Sequence, residues 1–339
     1  MIAEIGSSDA ETVAEVGGAK AIEGRSPWRL AFERLRHDRA AVGSSVVIVL
    51  IALMAILAPV AAHLTGHGPD AQYPSFGRTL AGLPIGPGRR FLLGTDELGR
   101  DLFVRILYGA RISLLVGVLA SSLATAVGVV IGLVAGYFGR VVDTILARFM
   151  DAVLSLPYLV FAIALVSVVG TSNRLLVIIG VIAFFSFASV GRIVRGQVLS
   201  IKEKEFVEAA HALGAGNLRI MFVDILPNVL APVIVYLTLL IPASIVFEAT
   251  LSFLGIGITP PTPSWGDILS GALQYYQEAW WYLIFPALAL LATTLAFNLL
   301  GDSVRDAFDP RYNRLFTSKP AKVLSAAAVL ATSEEGTSA

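Results

Sequence analysis

Side chains capable of acid–base work are concentrated in two stretches of the chain. The first reads Gly94-Thr95-Asp96-Glu97-Leu98-Gly99-Arg100-Asp101, with Arg105 one helical turn further on. Its three carboxylates have the types needed for general acid–base catalysis. Helix capping and ion pairing with Arg100 or Arg105 explain them better, because Thr95 can cap and Asp96 and Glu97 suit the positive end of a helix dipole. Leu98, Leu102, Phe103, Ile106 and Leu107 then form one apolar face, and Gly109 is expected to turn the chain into the next element. The second stretch runs from Arg192-Ile193-Val194-Arg195-Gly196-Gln197 through Lys202-Glu203-Lys204-Glu205 to Glu208-Ala209-Ala210-His211-Ala212-Leu213-Gly214. It has helix formers up to Leu213, a glycine stop at Gly214, and room for a second short helix over 217–223 before Pro227. A charged helix-turn-helix of this kind makes and breaks no bond, and it suits docking to a partner.

Other chemistries are excluded by composition. There is no cysteine, and the four histidines are scattered, so neither thiol chemistry nor a CxxC or HExxH metal site is available. No GxxxxGK[ST] loop is present to cradle nucleotide phosphates, and a formal net charge of +0 removes a global electrostatic argument for nucleic acid. Cofactors and catalytic residues are therefore expected to be none in this chain, and any energy source lies in a partner.

The elements that position these stretches are set by lipid. The 339 residues are 56% hydrophobic and 15% charged, with a mean hydropathy of +0.76, outside the range of water-soluble domains. Crossing about 30 Å of hydrocarbon takes roughly 20 apolar residues, and such runs occur near 42–64, 112–137, 153–172, 175–191, 226–247 and 281–300. The expected fold class is an all-α membrane protein with six transmembrane helices. The third and fourth spans meet in a tight hairpin at Gly170-Thr171-Ser172-Asn173-Arg174. Arg25, Arg29, Arg34, Arg36 and Arg39 precede the first span, Arg140 and Arg148 follow the second, and Lys202, Lys204 and Arg219 fall between the fourth and fifth. No Lys or Arg occurs between Arg219 and Arg305. The bias puts both termini in the cytoplasm and 248–280 outside; Arg78, Arg89 and Arg90 in the long first external loop run against it.

Residues 1–24 read as a disordered cytoplasmic tail and 317–339 as a flexible one. Residues 25–41 carry Trp28, Ala31, Phe32 and Leu35 at helical spacing, an amphipathic juxtamembrane helix that either lies at the interface or packs on the bundle. The first apolar run starts after 41 residues and is long enough to stay as an anchor rather than be removed as a signal peptide. Glu248, at the outer end of the fifth span, is expected to reach water, and Trp265, Tyr275, Tyr276, Trp280, Trp281 and Tyr282 to form an interfacial aromatic belt. Pro157, Pro232, Pro242 and Pro286 are kink candidates, and Gly117, Gly128, Gly132 and Gly136 permit close helix packing. Ser121, Ser122, Thr125, Thr238 and Asn298 offer hydrogen bonds along a pathway without fixed charge. The near absence of ionisable residues inside the spans disfavours coupling to an ion gradient.

The second charged stretch resembles the cytoplasmic hallmark of the ABC importer permeases: Glu-Ala-Ala, three residues, Gly, nine residues, Ile, one residue, Leu-Pro. Glu208, Ala209, Ala210, Gly214, Leu226 and Pro227 stand at that spacing, and the chain departs from it at Asp224 in the Ile position. Leu93-Gly94-Thr95-Asp96, Leu251-Ser252-Phe253-Leu254-Gly255, Ser264-Trp265-Gly266 and Gly301-Asp302 narrow the resemblance to the C-type permease of peptide importers. It implies a type I ABC importer permease fold over 42–316 with a coupling loop at 192–225. It also implies a second homologous permease, one or two ABC ATPase subunits that bind ATP and Mg, and an extracytoplasmic peptide-binding protein, all at the bacterial inner membrane. Oligopeptides or dipeptides are the implied substrates, with nickel or another small solute as the alternative. A channel or carrier working without ATP is the rival from another class.

Overall fold

The computed structural model describes residues 27–169 and 173–309 and is helical, without strands among them. Both tails and the hairpin cluster at 170–172 lie outside the described residues. In chain order the helices are α1 (Pro27–His37), α2 (Arg39–Ile56), α3 (Ala58–Thr65), α4 (Leu102–Phe138), α5 (Arg140–Ser155), α6 (Tyr158–Val169), α7 (Arg174–Ile201), α8 (Glu205–Ala212), α9 (Asn217–Arg219), α10 (Leu226–Phe253), α11 (Trp265–Ala272) and α12 (Trp280–Phe308). A π turn over Ile220–Ile225 joins α9 to α10 without a break.

Among the described residues five helical stretches are long and apolar enough to cross a membrane, and a sixth span forms if α5 and α6 count as one. The third span differs from its sequence reading. α5 and α6 meet at an angle of 86°, because Pro157 forces Leu156 out of the helical region to φ −75°, ψ 136°. Pro232, Pro242 and Pro286 sit inside unbroken helices instead.

Other boundaries move as well. Asp101, not Thr95, caps α4, its carboxylate accepting from the Phe103 and Val104 amides. Gly109 does not turn the chain; α4 passes straight through it, and a Cβ there would stand 3.0 Å from Trp265. α7 continues to Ile201, well into the stretch read as loop from 192, because Val194, Val198 and Ile201 extend its buried stripe.

α4 is the axis of the fold, and α7 lies along it at backbone distance. A Cβ on Gly132 would come within 2.5 Å of the Gly191 carbonyl oxygen, and one on Gly128 within 2.6 Å of Val190 Cβ. Small residues let the two helices close, as dispersion rather than water exclusion drives packing in lipid. One core cluster, including Ile178, Ile182, Phe185 and Leu251, fills the space between α4, α6, α7 and α10; a second, around Trp265, Tyr282 and Ile245, holds α11 and α12. A third, with Leu133, Val198, Val207, Ile220 and Ile225, ties the charged stretch to the bundle.

α1 packs on the bundle. Trp28 meets Phe308 edge to face at 5.2 Å, and Arg34 donates to the carbonyls of Ala307 (2.9 Å) and Asp309 (3.1 Å) at the carboxyl end of α12. Asp38 accepts from the Ala40 and Ala41 amides and so starts α2. The Ser303 hydroxyl, bonded to its carboxylate, leads in holding Asp38 below the usual carboxylate range, with those amides adding to it.

Candidate functional site

Two polar constellations stand at opposite ends of the bundle. The first is the projection that follows α7. Lys202 ends the helix and donates its ammonium to the Gly136 carbonyl at 3.1 Å, pinning the exit point to the end of α4. Lys204 is extended at φ −85°, ψ 147°, and α8 begins with Glu205 and Glu208 in its first turn, where the helix dipole favours them. Val207 is the buried anchor of α8, seated against the cluster that holds Ile220 and Met221. Gly214 takes φ +80° as the chain reverses, with its amide donating to His211 O and the Ala215 amide to Ala210 O.

The outcome is a projecting element whose free face includes Glu208, Ala209 and Gly214, while Ala210 is half-buried. Leu213 and Leu218 are 88% and 72% exposed at its tip. Leu226 and Pro227 lie elsewhere, in the first turn of α10. Pro227 has no N–H to close the α ladder, and the backbone just ahead of it widens into the π turn. Within that turn Ile225 is fully buried, whereas Asp224 is half-exposed and its carbonyl accepts from Asn228 Nδ2 at 2.7 Å. The apolar anchor is thus supplied one residue after the position where Asp224 stands.

Beside this projection, α5 and α7 form a charged cleft of about 330 Å³. Arg195 grips Asp143 through two guanidinium nitrogens, and Arg192 pairs with Asp151.

The second constellation is at the other end. Asp96 is fully buried and accepts from the Leu98 and Arg100 amides and from Arg100 Nε. Arg100 also donates to Glu97 at 3.0 Å, and Tyr282 on α12 donates its hydroxyl to Glu97. Arg105, 1% exposed, reaches across the chain: Nη2 donates to Asp267 on α11 at 3.3 Å, Nη1 to Pro69 O at 3.2 Å, and Nε lies 3.2 Å from Asp96 Oδ2 at ion-pair distance without hydrogen-bond alignment. Burial pushes the Asp267 carboxyl up to about 6 against the pull of Arg105 and Arg100. Asp96 is raised as well, first by burial and then by neighbouring Glu97. Capping and ion pairing, expected of Asp96, Glu97 and Asp101, are what these carboxylates do.

Several sequence expectations fail here. Glu248 does not reach water; it is fully buried and accepts from Ser113 and Ser252 at 2.8 Å each. A lone carboxylate near a helix end reads as interfacial, and only the fold brings Ser113 to it across 135 positions. Trp265 and Tyr282 are core residues rather than belt residues, the former donating Nε1–H to Ile106 O at 3.1 Å, while Tyr276 and Trp280 are exposed. Ser121 is buried against Ser244 at 2.9 Å, Thr125 is buried, Thr238 bonds its own helix, and Ser122 and Asn298 are exposed.

A bundle of apolar helices with a charged helical projection between two spans and a pinned opposite end describes a membrane-spanning protein. The family described as "Binding-protein-dependent transport system inner membrane component" matches residues 128–314, and the chain belongs to it. The family described as "N-terminal TM domain of oligopeptide transport permease C" matches residues 26–81.

Among its relatives, the chain is 43% identical to the oligopeptide transport system permease protein OppC of Escherichia coli over 307 residues, covering 91% of this chain and 99% of the relative. It is 41% identical over 286 residues to the dipeptide transport system permease protein DppC of Alkalihalophilus pseudofirmus, covering 84% and 90%. Among solved structures, an inward-facing form of the MetNI methionine ABC transporter aligns with 61% of this chain and 96% of its own at a TM-score of 0.48 and 20% identity.

Proposed function

We propose that this chain is one of two membrane-spanning subunits of an ATP-driven importer that carries oligopeptides or dipeptides across the inner membrane by alternating access. Its relatives named for oligopeptide and dipeptide transport support the substrate class. The carrying observation is the projection built on α8. Glu208, Ala209 and Gly214 present an open face, and Leu213 and Leu218 stand out from it, apolar groups with no cover. Such a tip suits a groove on one of the ATPase subunits, which bind ATP and Mg and supply the hydrolysis that this chain does not perform. In this reading 192–225 faces the cytoplasm with both termini. The opposite end, around α11, meets an extracytoplasmic peptide-binding protein, and a second homologous permease completes the pathway. The permease domain spans 42–316.

The test is Gly214→Leu in the complex reconstituted in liposomes. A Cβ at Gly214 meets nothing within 4 Å, so the side chain fits, but the left-handed backbone costs an L-residue about 1–2 kcal/mol and the tip must reshape. Peptide-stimulated ATP hydrolysis and peptide uptake are expected to separate, with uptake falling at least tenfold. Wild-type coupling in this variant, or solute flux through the chain alone without ATP, would sink the reading.

A further inference from the structure

Where α1 folds back beside α2, the molecule carries a groove of about 490 Å³. Its walls are apolar: Phe32 from α1, Val42, Val46 and Leu50 from α2, and Leu300 from α12. Phe32 is 68% exposed, and Val42, Val46 and Leu50 are each about half exposed, so this surface faces outward and is not closed by the chain itself. Arg36 lines the same groove and is exposed, and exposed Arg39 follows it in sequence.

Three observations bear on what fills it. The groove has a fixed shape, because α1 is anchored by Trp28 on Phe308 and by Arg34 on the α12 carbonyls. Its wall along α2, from Ala41 to Leu50, is about 14 Å long by helical rise, roughly the hydrocarbon depth of one leaflet. Its one basic lining group, Arg36, precedes Ala41 at the start of that wall by about one helical turn of sequence. An apolar slot one leaflet deep, rimmed by arginine, is complementary to a single lipid with a negatively charged head.

We infer that this groove is a binding site for one anionic phospholipid, with an acyl chain laid between Phe32 and Leu50 and the phosphate held by Arg36. Placing that lipid in the cytoplasmic leaflet rests on the orientation proposed above; the site itself does not, and its test reads lipid rather than transport.

The assembled full-length complex, purified in detergent, is mixed with phosphatidylglycerol or phosphatidylcholine vesicles and examined by native mass spectrometry. A basic residue near an anionic surface contributes on the order of a fivefold preference. Phosphatidylglycerol adducts are therefore expected to exceed phosphatidylcholine adducts about fivefold. Arg36→Gln, an exposed change, should bring the two lipids to parity, and Val46→Trp, which fills the slot, should remove the retained lipid of either kind. Equal retention by the wild-type complex, or an unchanged preference in Arg36→Gln, would overturn the assignment. So would a photo-crosslinker at position 46 that captures only a helix of a partner subunit.

Discussion

The two ends of the bundle handle charge in opposite ways. Around α11 the charges are interior: Asp96, Arg100 and Arg105 are buried and linked to Glu97, Asp267 and Tyr282 across segments far apart in sequence. At the other end the Arg192–Asp151 pair lies open, both side chains about half exposed, while Arg195–Asp143 is more covered and Glu208 is exposed on the surface of α8. Buried pairs cost desolvation and repay it only when every partner is present, so they fix one arrangement; exposed pairs break and re-form cheaply. The arrangement around α11 is thus fixed by its own contacts, whereas the projecting end leaves Glu208, Leu213 and Leu218 uncovered.

Breaking this contrast should be easiest at Arg105. Arg105→Ala leaves Asp267 without its guanidinium partner and Asp96 with one fewer, and should cost about 3–5 kcal/mol, read as a large drop in the thermal midpoint of the detergent-purified complex. Next comes Gly132→Val, which drives a side chain into the Gly191 carbonyl; overpacking should cost about 1–3 kcal/mol and loosen α7, measured as faster amide exchange along 190–201. An unchanged exchange rate there would mean that α4 does not set the position of α7.

A smaller effect separates the ends by pH. Asp267 is raised to about 6 from an ordinary 3.8, so the folded state holds its proton more tightly than the unfolded chain. Its contribution is most favourable below pH 4 and is lost as pH rises through 6. Wild-type stability should therefore decline more steeply between pH 4 and 6.5 than that of Asp267→Asn, with the remaining slope in the variant containing the share of Asp96. The smallest change belongs to Arg192→Ala at the open end, about 0–1 kcal/mol, and screened away at high salt. A loss there as large as that of Arg105→Ala would erase the distinction between the two ends.

Much of this architecture was legible in the sequence because lipid imposes simple rules. Apolar runs located the spans, and the glycines of α4 announced a close neighbour. The stop at Gly214 was read correctly because a left-handed turn needs that residue. Missed features depended on partners distant in sequence. Nothing near Glu248 signals Ser113, and nothing in 94–105 signals Asp267. Helix ends were misjudged where polarity and burial disagree. Arg192 and Arg195 look like loop residues, yet the helix carrying them continues because its opposite stripe is still inside the bundle. At Asp224 the wide turn decides which side chain is inside, something the residue count of a linear motif does not register.

The uninterrupted run of α7 has a mechanical consequence. From Arg174 to Ile201 it is a rod of 28 residues, about 42 Å long. α8 is carried on one end through the short linker that starts at Lys202, and at the other Arg174 is hooked to the carbonyl of Gly257 at 3.2 Å. Pivoting such a rod by about 5° at the Gly191 contact sweeps the Arg174 end, about 25 Å away by the rise of 1.5 Å per residue, through about 2 Å. The glycine contacts on α4 would act as its fulcrum. In the proposed importer, a displacement at the α8 tip would reach the Arg174 end through the rod itself, without a relay of side-chain rearrangements.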